Sequence, residues 1–153
     1  MRKFVLPFVI ALLCLHGCAE MPAYSNVDPA TADDESRYTV VETDTYADRA
    51  QRHFADLQPD LNIIRINDNK VGNIPFSTYY YKNDSPQRAV LKPGTYTIQL
   101  EYQLPRYFLF ADLKFEGKPG QKIMARSRYV GLNRLEVWLE DAVTGEVVST
   151  RLH

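Results

Sequence analysis

Histidine and cysteine are scarce in this sequence. The 153 residues hold three histidines, His16, His53 and His153, and two cysteines, Cys14 and Cys18, both near the N-terminus. So few imidazoles and thiols exclude the metal centres that carry local signatures: there is no HExxH, no paired CxxC, and no clustering of Asp with His at ligand spacing. A disulfide framework is excluded by the same count. Glycine is sparse too, and Gly72, Gly94, Gly117, Gly120, Gly131 and Gly145 never gather into a phosphate-cradling loop or a GxSxG elbow. His53 alone does not make a base, because a histidine on a helix face is far more often a packing residue. Neighbouring acids such as Glu140-Asp141 would point to opposite faces of a strand, which defeats paired acid–base work. These absences predict a protein that is not an enzyme and takes neither metal nor cofactor.

Long hydrophobic runs are also missing. The one apolar stretch, residues 4–13, follows Arg2 and Lys3 and is bracketed by Pro7 and His16, whereas a spanning helix needs about 20 apolar residues. A basic start, a short apolar run and small residues beyond it are the grammar of an export signal. The residues that follow, Leu15-His16-Gly17-Cys18, resemble the lipobox of bacterial lipoproteins, with leucine three places before the cysteine and glycine just before it; His16 departs from the small or aliphatic residue usual there. The resemblance implies cleavage before Cys18, a diacylglycerol thioether on its sulfur, and acylation of the new amino group. Each acyl CH₂ buried in a bilayer contributes about 0.8 kcal/mol, so two or three chains hold the protein on the membrane. An unpaired thiol in an oxidising envelope is otherwise hard to rationalise. Ala19, rather than aspartate, after the cysteine implies by the same family pattern an outer-membrane address facing the periplasm. The covalent lipid on Cys18 is thus the only non-protein group expected, the lipid membrane is the first partner, and this location leaves no nucleic-acid partner.

What is present is ample material for one core: 45% of the residues are apolar and 12% aromatic, against 24% charged and a net charge of −1. From Cys18 to Asp60 the chain is polar and acidic, with Glu20, Asp28, Asp33, Asp34, Glu35, Glu42, Asp44, Asp48, Asp56 and Asp60 against Arg37, Arg49 and Arg52. That balance predicts a mostly disordered, flexible acidic tether over 18–60 between a signal peptide at 1–17 and a domain at 61–153. Within the tether, Thr45 and Asp48 give a capping-box-like start, with Tyr46, Ala50, His53, Phe54 and Leu57 on one face, so a short helix over 46–57 is one reading. The other is that Tyr38-Thr39-Val40-Val41 adds an edge strand to the domain.

Beyond Asp60 the apolar period becomes two. Tyr96, Ile98, Leu100 and Tyr102 alternate with Thr97, Gln99 and Glu101; the same rhythm returns in Leu109, Ala111, Leu113 and Phe115 and in Leu135, Val137 and Leu139. Turn residues at 68–69, 83–86, 92–94, 117–120 and 144–145 separate the runs. Strands are predicted near 61–67, 71–81, 88–92, 95–103, 108–116, 121–129, 134–140 and 146–151, making an all-β protein, an antiparallel β-sandwich of about 7–8 strands. The element Val90-Leu91-Lys92-Pro93-Gly94-Thr95-Tyr96-Thr97-Ile98 resembles the strand, Pro-Gly turn and strand of PEGA and transthyretin-like envelope modules, and residues 120–123 and 141–148 are similar to their closing strands. The resemblance covers about 90 residues and implies a fold and a location, not a reaction.

Two features point outward. Between Arg106 and Arg134 seven basic residues face two acids, and Lys122, Met124, Arg126 and Arg128 share one parity of a strand while Ile123 and Ala125 take the other. Such a stripe either holds an anionic partner or is balanced by neighbouring strands. Tyr79-Tyr80-Tyr81, Tyr107 and Trp138 are the second feature, with Trp138 opposite in parity to the core-like Val137 and Leu139. Outward aromatics form a platform for a sugar or a protein, or else cross-strand pairs. The sequence therefore predicts a lipid-anchored envelope lipoprotein with an accessory or scaffold domain that contacts an envelope protein. The alternative is a glycan- or anionic-polymer-binding module. Lys122, Arg126, Arg128, Tyr79, Tyr81, Tyr107 and Trp138 are the candidate partner-binding residues.

Overall fold

The computed structural model describes residues 23–49, 59–73, 85–104, 107–130 and 134–152. Within them the chain is all-β, two packed sheets of five strands each. In chain order the strands are β1 (Ala23–Ser25), β2 (Thr39–Thr43), β3 (Asp60–Ile66), β4 (Asn69–Lys70), β5 (Arg88–Leu91), β6 (Gly94–Leu104), β7 (Tyr107–Gly117), β8 (Lys122–Tyr129), β9 (Leu135–Asp141) and β10 (Ser149–Arg151), with a 3-10 turn at Glu35–Arg37 and a short α-helix, α1 (Tyr46–Arg49). The first sheet runs β1-β5-β2-β8-β9 and the second β10-β7-β6-β3-β4. Pairing is antiparallel except for β1 with β5 and β2 with β8, which run parallel.

The period-two runs do what their alternation dictates. Ile98, Leu100, Leu113 and Phe115 of the second sheet meet Val41, Leu91, Ile123, Ala125 and Leu139 of the first in one continuous core. On β3 the sequence breaks the alternation, since Ile63 and Ile66 are three residues apart yet both face inward. A β-bulge between Ile63 and Arg65 supplies the extra residue, Ile64, and restores the parity.

On each side of the sandwich a segment of chain bonds to both sheets over part of the edge. On one side Ile63 donates to the Pro86 carbonyl at 2.8 Å, while Thr43 donates to the Gln87 carbonyl at 2.9 Å. On the other, Val148 donates to the Leu139 carbonyl in the first sheet at 2.9 Å before β10 pairs with β7 in the second. These bonds tie the two sheets together at their sides, and the fold remains a two-sheet sandwich.

Three expectations need correction. Residues 23–49 are not a solvated tether: β1 pairs with β5, and β2, far from being an edge, is the central strand of the first sheet, with Val41 fully buried. Between them, Val27, Ala32 and Tyr38 fold back over Val90 as a second small core on the outer face of that sheet. The acids of this segment mask a handful of apolar residues that are enough to dock it. Second, the strands joined by the Pro93-Gly94 turn do not pair with each other, because β5 and β6 belong to different sheets; Gly94, at φ 153°, turns the chain from one to the other. Third, the strand expected at 71–81 does not start at 71–73, where the chain leaves β4 without strand pairing; its remainder, 74–81, lies outside the described residues. The signal region, Cys18, and all of the helix expected at 46–57 beyond α1 also lie outside them.

Candidate functional site

The basic parity of β8 comes out as drawn: Ile123 and Ala125 are fully buried, and Lys122, Arg126 and Arg128 face away from the core. Its neighbours decide its character. The Lys122 ammonium lies 2.8 Å from Glu42 of β2, the Arg126 Nε 2.8 Å from Glu140 of β9, and an Arg128 guanidinium nitrogen 2.5 Å from Glu136 of β9. Register explains the match, since Arg128 stands opposite Glu136, and Met124 stands between Glu42 on one side and Glu140 on the other. Glu42 also receives Arg88 of β5 at 3.1 Å, and Arg88 continues to Glu35. The stripe is thus one rail of a cross-strand ladder of alternating sign.

Trp138 stands opposite Arg126 on this face, half-buried. Its indole N–H donates to Glu140 at 2.9 Å, and the Arg128 guanidinium lies 5.8 Å from its ring centre. It therefore faces outward, as its parity opposite to Val137 and Leu139 implies. The carboxyls here are tuned by these bonds: Glu136 is held below the usual range by hydrogen bonding from Arg128, and Glu140 by Arg126 and then Trp138. At the β9 end, Asp141 is lowered by Gln121 and by the backbone N–H groups of Thr144 and Val143.

Tyr79 and Tyr81 lie outside the described residues, as does the Tyr107 side chain, whose backbone begins β7 in the opposite sheet. Among the described residues no group of histidines, cysteines and acids is spaced to hold a metal ion.

Sequence reasoning missed Asp44. It prolongs β2 alongside β8, where its Oδ2 accepts both the Ser127 N–H at 2.8 Å and the Ser127 hydroxyl at 3.1 Å, while its buried Oδ1 has no hydrogen-bond partner. Burial pushes this carboxyl above its ordinary range against the pull of Ser127 and the Arg126 charge. It also pushes the phenol of Tyr102 up, with the Asp44 charge second. A lone acid in an acidic stretch carries no pattern that would single it out.

Compared with protein-family models, with curated proteins and with solved structures, the chain matches none.

Proposed function

We propose that this protein is a lipoprotein anchored through Cys18 in the bacterial cell envelope, at the outer membrane, and that its β-sandwich is a non-enzymatic accessory domain that contacts another envelope protein. The observation that carries the reading is the lipobox-like Leu15-His16-Gly17-Cys18 lying only a few residues ahead of β1, which starts at Ala23. Four intervening residues and the bond to the strand reach at most about 17 Å. Anchoring at Cys18 therefore confines the sandwich to the membrane surface, where weak contacts act at raised local concentration.

The outer face of the first sheet supports contact rather than catalysis. Its shifted carboxyls, Glu136 and Glu140, are held by Arg128, Arg126 and the Trp138 indole on an open surface, so they are committed to structural bonds and do not converge in a cleft. The same ion pairs weigh against the anionic-polymer reading. A polyanion would have to displace Glu42, Glu136 and Glu140 from Lys122, Arg128 and Arg126.

Metabolic labelling with palmitate followed by detergent phase partition tests the anchor. The wild-type protein is expected to carry label and enter the detergent phase, and Cys18→Ser to do neither. Retained label on Cys18→Ser would refute the reading. In-cell cross-linking then tests the accessory role, which predicts a recurrent protein partner rather than cell-wall polysaccharide.

A further inference from the structure

The edge of the second sheet is only half covered. β10 pairs with β7 at Leu113, Lys114 and Phe115, and Leu152 donates one last bond to the Asp112 carbonyl at 2.9 Å. Backbone groups alternate between the two edges of a strand, so those of Phe110 and Phe108 point to the same edge as Asp112. Among the described residues no strand pairs with them there. The facing strand, β9, repeats the situation. Leu139 accepts from Val148, and the backbone groups of Val137 and Leu135 point to the same edge with no strand pairing among the described residues. Between these two half-edges, directly below β10, lies a slot of about 260 Å³ floored by Leu109, Ala111, Leu135 and Val137.

The slot has apolar depth and a basic mouth. Ala111 and Val137 belong to the main core, and Leu109 and Leu135 pack against it, so a side chain entering here would extend the core. Phe110, 42% exposed and tilted against Phe108 at 6.5 Å, borders it. Arg134 and Arg151 line the same opening, with Glu136 as the one acid; Arg134 touches Glu136 at 3.4 Å and its side chain is 72% exposed. Exposed strand edges are templates for pairing, and positive charge beside them selects the sign of what pairs.

We propose that this slot is a β-augmentation site: an extended acidic peptide segment of a partner protein pairs with the β7 edge at Phe108 and Phe110, in line with β10. Its inward apolar side chain fills the space between Leu109 and Leu135, and its carboxylates meet Arg134 and Arg151. The proposal rests on the accessory reading and names its contact surface, but its test does not depend on the anchor.

The test uses full-length protein in detergent micelles and a fluorescent octapeptide of alternating Val and Glu, capped at both ends. Three comparison probes are the Lys-for-Glu peptide, the peptide N-methylated at alternate amides, and a sequence-scrambled Gly/Ser/Glu peptide. Saturable binding of the Val/Glu peptide is expected, at least tenfold weaker after N-methylation and at least tenfold weaker to Arg134→Glu/Arg151→Glu protein. Both arginines are on the surface, so this variant should fold, which its circular dichroism checks. Equal binding of the N-methylated peptide, or no binding at all, would overturn the proposal. Concentration-dependent dimerisation of the protein alone that the same double variant abolishes would overturn it in favour of a second copy of this chain. Because all readouts are binding in solution, failure here leaves the palmitate result at Cys18 standing, and the reverse.

Discussion

Asp44 and Gly72 show how single residues are constrained by neighbours far away in the chain. The Asp44 carboxyl sits above its ordinary pKa through desolvation, so the folded state holds its proton more tightly than the unfolded state does. The stability cost of ionising it therefore appears as pH rises from the unfolded Asp value, about 3.9, through the raised folded value. Asp44→Asn should keep an oxygen for the Ser127 N–H and remove that cost, leaving the protein as stable or more stable at pH 7 with a flatter dependence above pH 4, measured by urea unfolding across pH. Asp44→Ala should instead destabilise, since Ser127 loses both of its bonds to the carboxylate. Gly72 is a matter of space. A Cβ there would lie 2.5 Å from the Ile63 carbonyl oxygen and 2.6 Å from the Ser85 hydroxyl oxygen. The first of these atoms is β3 backbone and cannot swing away, so Gly72→Ala should cost roughly 1–3 kcal/mol in the same assay.

The strands rich in alternating residues were readable because each buries one face: the predicted 61–67, 88–92, 95–103, 108–116, 121–129 and 134–140 each overlap an observed strand. β2 was harder to read. It is central and buried on both sides, at Val41 inside and Val40 outside, so its five residues hold no clean alternation, and the surrounding acids hid it. The parity of the basic stripe on β8 was equally legible, but its neutrality was not. Two of its acids follow the stripe on β9 and the third, Glu42, precedes it by eighty residues, so only register brings them together. Two element-scale outcomes follow. A chain cut at residue 61, the boundary the charge pattern suggests, lacks β1 and β2 and exposes both β5 and β8 along their inner edges. It should fail to fold, giving collapsed dispersion in an amide correlation spectrum, whereas a chain from residue 19 should retain it. The β8–β9 pairs are exposed, so Arg126→Ala and Arg128→Ala should each change stability by no more than about 1 kcal/mol, and less at high salt. The lowered pKa values of Glu136, Glu140 and Asp141 give stability that is present above the ordinary carboxylate range and lost as pH falls through their folded values.

At the scale of the whole molecule, the correction of the tether changes where the domain sits. With the lipid anchor proposed on Cys18, a disordered segment through residue 60 would let the sandwich range far from the bilayer, whereas a first strand at Ala23 ties it within about 17 Å of Cys18. The only tryptophan in the sequence makes this measurable. Trp138 is on β9, four strand positions from β1 across the first sheet, or about 19 Å at the usual strand spacing. Adding the two distances keeps the indole within about 40 Å of the anchor whichever way the domain leans. In proteoliposomes of the lipidated protein, Trp138 emission should transfer to dansyl-labelled lipid headgroups. Inserting twenty Gly/Ser residues between Cys18 and Ala23 adds an r.m.s. span of about 25 Å and should weaken the transfer markedly. Transfer unchanged by the insertion would mean that something other than the short N-terminal link, such as a protein or lipid contact on the sandwich itself, holds the domain down. Transfer absent in both proteins would mean that the domain stands away from the bilayer, and the anchored-at-the-surface arrangement would have to be given up.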